Sequence, residues 1–252
     1  MGRLEGMVCI VTGVATPKGI GYGIAKVFAA EGAKVICVVR RPIVHERVKE
    51  LTDEGYDAVG YVADLSKKDE VSSMMDDILS KYIKIDVLVN VAGGGEGVHG
   101  SIVNITEEGW DKVMASNMKT CLLCTKSVLP IMMERGWGKI VNISSVTGPI
   151  VSMRGSTAYS ASKGAVSAFT RALALDIAEH GITVNSICPG WIDSGVVRNI
   201  EKLSASIPMK RLGNSEEVGY LALFLATKES DYITGQDFVI DGGNIIQERK
   251  II

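Results

Sequence analysis

The stretch "VTGVATPKGIGYGIAKVFAAEGAKVICVVRR", Val11 to Arg41, decides the fold. It leaves an apolar run, passes Gly13, Gly19, Gly21 and Gly23, continues as an amphipathic segment to Glu31, halts at Gly32 and re-enters an apolar run at Val35–Val39. Strand, glycine turn, helix, strand is the pattern of one βαβ unit, because parallel strands need a crossover to return to the same edge. Gly13 would end the strand and Gly19 and Gly21 would open the helix. Glycine there serves a tight turn, close backbone approach to a pyrophosphate and close helix–strand packing, while the helix N-terminus offers free N–H groups to phosphate. Gly23 lies inside the helix and is read as a packing glycine.

The same alternation runs along the chain. Strands are predicted at Val8–Val11, Val35–Val39, Ala58–Val62, Val87–Val91, Lys139–Ile143, Thr183–Cys188 and Phe238–Ile240. Helices are predicted at Gly21–Glu31, Ile43–Glu54, Lys68–Tyr82, Glu107–Arg135, Tyr159–Glu179 and Ser215–Ala226, and Gly32, Gly55, Gly136 and Gly181 stand where helices stop. The expected class is α/β, a single domain over residues 1–252 with a doubly wound parallel sheet of about seven strands. One weakly patterned stretch, about 191–214, falls where such folds place a substrate-binding loop.

Composition narrows the function. The chain has 252 residues, 46% of them hydrophobic, and a net charge of −2, which gives no general attraction for nucleic acid or anionic membrane. No apolar run is long enough for a membrane span, and the N-terminus enters a strand pattern without a signal-peptide profile. Five cysteines are an odd count. Cys9, Cys37 and Cys188 sit in strand patterns, and Cys121 with Cys124 in a helix pattern, so they are read as small core residues and no metal is expected. The expected compartment is the cytoplasm. His45, His99 and His180 have no partner pattern, and no nucleophile-elbow motif occurs, which disfavours a serine hydrolase.

The end of the second strand bears on the cofactor. A carboxylate there would serve a free adenosine ribose, but Val39, Arg40 and Arg41 occupy it, and Lys18 precedes Gly19. Cations suit a 2′-phosphate, so the expected cofactor is NADP(H). Further on, Tyr159 and Lys163 stand four apart in a predicted helix and share a face. A nearby ammonium should favour the phenolate, letting the pair exchange a proton with an alcohol or ketone. Ser145 follows the apolar run "GKIVNISSVTG" and could lie at a strand's carboxyl end.

With these residues in place, the chain resembles the short-chain dehydrogenase/reductase family over nearly its whole length. The resemblance rests on Thr12–Gly13 with Gly19–Gly21, "ADL" at Ala63–Leu65, "NVAG" at Asn90–Gly93, Asn117, "NISS" at Asn142–Ser145, Tyr159 with Lys163, Pro189–Gly190 and "DGG" at Asp241–Gly243. It implies a Rossmann fold and a catalytic set of Asn117, Ser145, Tyr159 and Lys163. Tyr159 would transfer the proton, Lys163 would hold the nicotinamide ribose, Ser145 would bond the substrate oxygen, and Asn117 would position a water. It implies cofactor contacts at Gly13, Lys18, Gly19, Ile20, Gly21, Arg40, Arg41, Asp64, Leu65, Asn90, Ala92, Gly93, Tyr159, Lys163, Pro189, Gly190, Ile192 and Ser194. Three positions depart from the family pattern. Five residues rather than three separate Gly13 from Gly19, Val91 replaces a common asparagine, and Ser194 replaces a threonine. The long turn resembles that of some bacterial hydroxysteroid dehydrogenases and of enoyl reductases, but the latter use a longer tyrosine–lysine spacing.

The expected activity is interconversion of a secondary alcohol and a ketone. Gly94, Gly95, Ile150, Val151, Met153, Trp191, Val196 and Val197 form a mostly apolar candidate pocket, which favours a bulky substrate such as a hydroxysteroid or bile acid. Asp176, Glu179 and His180 stand where carrier-dependent reductases of the family tend to show arginine. The alternatives are a 3-oxoacyl thioester reductase, a sugar or polyol dehydrogenase, and a nucleotide-sensing protein without turnover. The resemblance also implies a homotetramer, packed through the helices Glu107–Arg135 and Tyr159–Glu179 across one interface and through the last strand with "DGG" across the other. The terminal Ile251 and Ile252 would either fray or cap a neighbour's pocket.

Overall fold

The computed structural model describes residues 2–95, 97–195 and 197–248. Seven strands form one sheet: β1 Val8–Thr12, β2 Lys34–Val39, β3 Ala58–Val62, β4 Val87–Asn90, β5 Gly138–Ile143, β6 Ile182–Pro189 and β7 Asp237–Ile240. Their spatial order is β3-β2-β1-β4-β5-β6-β7, and every neighbouring pair is parallel. The chain winds outward from β1 in one direction, then returns to β4 and winds in the other. The carboxyl ends of β1 and β4 therefore part at a topological switch point, where open α/β sheets bind ligands.

Two apolar layers follow from the strands' alternation. Cys9, Val11, Val35, Cys37, Val87, Val89, Val141 and Ile143 face α1 (Ile20–Ala30), α2 (Val44–Asp53) and α8 (Ser215–Ala226). Val8, Ile10, Ile36, Val38, Leu88, Ile140 and Val184 face α3 (Lys68–Lys81), α5 (Thr120–Arg135) and α6 (Thr157–Ile177). Central strands buried on both sides read as continuous apolar runs, whereas the edge strands β3 and β7 are only partly buried. Gly23 packs as expected: a Cβ there would lie 2.5 Å from the Ser215 Cβ on α8.

The clearest departure from the predicted elements is in one long helix. The helix predicted over Glu107–Arg135 divides into α4 (Glu107–Met114), a π-helical turn at Ala115–Lys119, and α5. Side chains stand in for the widened backbone ladder. Asn117 Nδ2 donates to the Val113 carbonyl at 2.9 Å, and Thr120 Oγ1 donates to the Ser116 carbonyl at 2.8 Å. Such bulges concentrate at functional sites. The weak stretch 191–214 holds a short helix, α7 (Ile200–Ser206), with no buried residue to give it a sequence signal. Among the described residues no helix is long and apolar enough to cross a membrane. Val196 and the terminal Ile251 and Ile252 lie outside the described residues.

Candidate active site

The glycine turn is pinned against the switch point. Gly13 has φ +75°, and a Cβ on it would stand 3.0 Å from the Ala92 backbone N. A Cβ on Gly21 would stand 2.6 Å from the Gly13 carbonyl oxygen, so both positions require glycine. Thr12 Oγ1 accepts from the amides of Val91 (2.9 Å) and Ala92 (3.0 Å), tying the β1 end to the β4 end. Gly19 begins α1 with no side-chain cap, which leaves the first-turn N–H groups open to an anion.

A cavity of about 600 Å³ runs along the carboxyl ends of the strands. Of the residues named from the sequence, Gly13, Ile20, Gly21, Arg40, Arg41, Asp64, Leu65, Ala92, Gly93, Ser145, Tyr159, Lys163, Pro189, Gly190 and Ser194 line it together. Its volume, its open helix N-terminus and its paired arginines fit a dinucleotide. Asp64 is fixed by the Ser66 hydroxyl (2.7 Å) and amide (3.0 Å), and these bonds hold it below the usual carboxylate range.

Of the candidate substrate-pocket residues that are described, Gly94 alone lines the cavity, and five of the named catalytic and cofactor residues are placed elsewhere. Asn90 is turned inward, where its Nδ2 donates to Asn142 Oδ1 (2.9 Å) and Thr125 Oγ1 (3.2 Å), bracing β4 to β5. Ile192 is buried and its backbone pairs with Gly213. Gly19 closes its turn by donating to the Thr16 carbonyl at 2.9 Å. Lys18 lies against the far side of the site, with Nζ 3.3 Å from Asp193 Oδ2. Asn117 is buried in the π turn behind the cavity wall. Its Nδ2 donates to the Gly94 carbonyl at 2.8 Å, and its Oδ1 is buried without a partner. The cavity also takes Lys112, Ser116 and Thr120, which the sequence reading missed. Their signal was proximity to Asn117 in a segment read as one regular helix.

The reacting end is built on β5 and α6. Ser144 Oγ donates to the Lys163 carbonyl at 2.9 Å and accepts from Ser167 Oγ at 3.0 Å, locking α6 onto the β5 terminus. Lys163 Nζ donates to the Ile143 carbonyl at 2.8 Å and stands 5.9 Å from the centre of the Tyr159 ring. Ser145 Oγ accepts from the Thr147 amide at 3.0 Å, and its hydroxyl is hydrogen-bonded to Tyr159. Burial pulls Lys163 down to about 8. Tyr159 departs from expectation. Burial raises its phenol above the ordinary value, and only the hydrogen bond with Ser145 works the other way. Desolvation of the phenolate outweighs that bond, so Tyr159 keeps its proton.

All five cysteines are buried thiols, and among the described residues no group of three His, Cys, Asp or Glu side chains could hold a metal ion.

Comparison with known proteins points to oxidoreductases. A family model described as "Enoyl-(Acyl carrier protein) reductase" matches residues 13–244. The chain is 37% identical to the oxidoreductase UcpA of Escherichia coli, covering 98% of each chain. It is 38% identical to the 3-oxoacyl-[acyl-carrier-protein] reductase FabG of Thermotoga maritima, covering 97% of this chain and all of the relative. A putative short-chain dehydrogenase/reductase from Burkholderia xenovorans superimposes with a TM-score of 0.94 at 31% identity, over 99% of this chain and 100% of the other. A variant actinorhodin polyketide ketoreductase solved with NADPH gives 0.88 at 32% identity, over 97% and 99%. Joined to a switch-point cavity that carries Ser145, Tyr159 and Lys163, these similarities make the chain a member of the short-chain dehydrogenase/reductase family of oxidoreductases.

Proposed function

We propose that the protein is an NADP(H)-dependent oxidoreductase that interconverts a secondary alcohol and a ketone, with a bulky apolar substrate. The carrying observation is that Ser145, Tyr159 and Lys163 line the same cavity as the glycine turn and the β2-end arginines. When bound, the dinucleotide supplies or accepts the hydride. The chain's residues do the rest. Tyr159, kept protonated by burial, donates its proton to the carbonyl oxygen during reduction. The Ser145 hydroxyl, hydrogen-bonded to Tyr159, can turn to the same oxygen as charge develops there. The Lys163 ammonium stabilises the phenolate that Tyr159 becomes, and it is held ready by the Ile143 carbonyl. Asn117, on the π turn behind Gly93, offers its unpartnered Oδ1 to an ordered water.

Arg40 and Arg41 support the NADP(H) preference, since the β2 end offers a ribose no carboxylate. Support for an apolar substrate comes from the segments flanking the reacting end. Ile150, Val151 and Met153 after β5, and Ile102 and Val103 before α4, are exposed apolar side chains, and the two segments are joined by the Gly100 amide bonding the Gly155 carbonyl at 3.0 Å. A second reading, 3-oxoacyl thioester reduction, is favoured by the likeness to FabG. Against carrier recognition, the end of α6 offers Asp176, Glu179 and His180 rather than arginine. NADPH oxidation measured against steroid ketones, carrier-bound and free acyl thioesters, and keto-sugars separates these readings. Turnover with none of them would favour a nucleotide-sensing protein.

The proposed assembly is a homotetramer. Leu122 and Met133 on α5 and Leu175 on α6, the last 85% exposed, present apolar surface that a closed symmetric assembly would cover. Light scattering at micromolar concentration is expected to give four times the chain mass, and a stable monomer refutes the assembly.

A further inference from the structure

Lys18, in the lengthened glycine turn, pairs with Asp193 and not at the arginines. Arg40 and Arg41 follow β2, whereas the partner of Lys18, Asp193, follows β6. In the sheet order these strands are four spacings apart, roughly 19 Å at ~4.8 Å per spacing. Lys18 therefore serves the opposite half of the cavity from a phosphate held at the β2 end.

The contact is specific in shape. Lys18 Nζ reaches Asp193 Oδ2 at 3.3 Å, and its stem lies along Gly195, where an added Cβ would stand 3.7 Å from Lys18 Cβ. Asp193 Oδ1 accepts from the Gly195 amide at 3.3 Å, and the Asp193 amide donates to the Gly213 carbonyl at 2.8 Å. Asp193 thus joins both ends of the 191–214 segment, and Ser194, between Asp193 and Gly195, faces the cavity.

We infer that Lys18 and Asp193 are positioning residues whose ion pair clasps the lengthened glycine turn to the base of the 191–214 segment, and so sets Ser194 for the part of the dinucleotide common to NADPH and NADH. The inference rests on the dinucleotide reading of the cavity. Both side chains are partly exposed, so the clasp is modest and yields to salt. It acts on where the loop rests, and its loss should appear in binding before chemistry.

The test uses Lys18→Met, Asp193→Asn and the double variant. Asparagine keeps the acceptor for the Gly195 amide and removes only the charge. In the protein without added cofactor, amide hydrogen exchange across 191–214 is expected to quicken about twofold to fivefold in each single variant, with no further gain in the double. The KM for NADPH and for NADH should rise together by about the same factor, kcat should stay within about twofold, and ~0.5 M salt should bring wild type to the variants' level. Single effects that add in the double variant would overturn the clasp. A changed NADPH-to-NADH ratio in Lys18→Met, with unchanged loop exchange, would assign Lys18 to the 2′-phosphate instead. The exchange measurement needs no cofactor, so failure of the clasp and failure of the dinucleotide reading are told apart.

Discussion

The two ends of the cavity are built on opposite principles. At the β5–α6 end, Lys163 is 5% exposed, bonded to a backbone carbonyl and shifted by burial, and Tyr159 is shifted the other way by the same cause. At the β2–β3 end, Arg40 and Arg41 are exposed, and Asp64 is tuned by hydrogen bonds from its neighbour Ser66. Water is excluded where a proton must move and admitted where a charged group must be chosen. Fixed dipoles and buried charges act strongly and cannot adapt, whereas solvated cations act weakly and are screened. The two ends should therefore answer mutation on different scales.

The largest effect belongs to Tyr159→Phe. The ring still packs, the cofactor end is untouched, and no proton can be delivered. We expect kcat to fall ~1000-fold, within the usual range for a positioned acid, with NADPH affinity within about twofold of wild type. Retention of more than about a tenth of wild-type kcat would remove the proton-transfer assignment.

Lys163 tests whether burial governs that end. Its folded pKa is about 8 against an ordinary 10.5. Below pH 8 both folded and unfolded chains carry the proton, and this group gives stability no slope. Between about 8 and 10.5 the folded protein has released the proton and the unfolded chain has not. The unfolded state then binds more protons, so this group's contribution to stability rises with pH. Lys163→Met lacks that rise. Urea unfolding should show wild type gaining on the variant by up to roughly 3 kcal/mol between pH 7.5 and 10.5. A constant difference across that range would mean that Lys163 titrates like a solvated lysine.

These contrasts also explain what the sequence could and could not reveal. The central strands were legible because burial on both faces leaves apolar runs, and Tyr159 with Lys163 because a helix puts them on one face. The π turn was not, because side-chain bonds from Asn117 and Thr120 hold it within a segment of ordinary helical composition. The direction of the Tyr159 shift was not, because spacing names the neighbouring charge but not the burial that raises the phenol. The partner of Lys18 lies 175 positions away, and only the crossing order of the sheet brings Asp193 to it.

The smallest expected effect lies at the exposed end, and its smallness is informative. Arg40 and Arg41 line the cavity beyond β2, so on the proposed NADP(H) reading wild type should prefer NADPH to NADH by about tenfold in kcat/KM, or ~1.4 kcal/mol. Because both arginines are exposed, ~1 M salt, which shortens the screening length to about 3 Å, should reduce the preference severalfold. Changing Val39→Asp with Arg40→Ala should erase or invert it, since a carboxylate repels the phosphate and accepts from a free ribose hydroxyl. The same double variant should leave kcat with saturating NADH near that of wild type, because nothing at the β5–α6 end has moved. Equal use of both dinucleotides by wild type would remove the NADP(H) reading. A salt-insensitive preference would mean that the phosphate is held by groups enclosed on binding, and the contrast between the two ends would then vanish once the dinucleotide is in place.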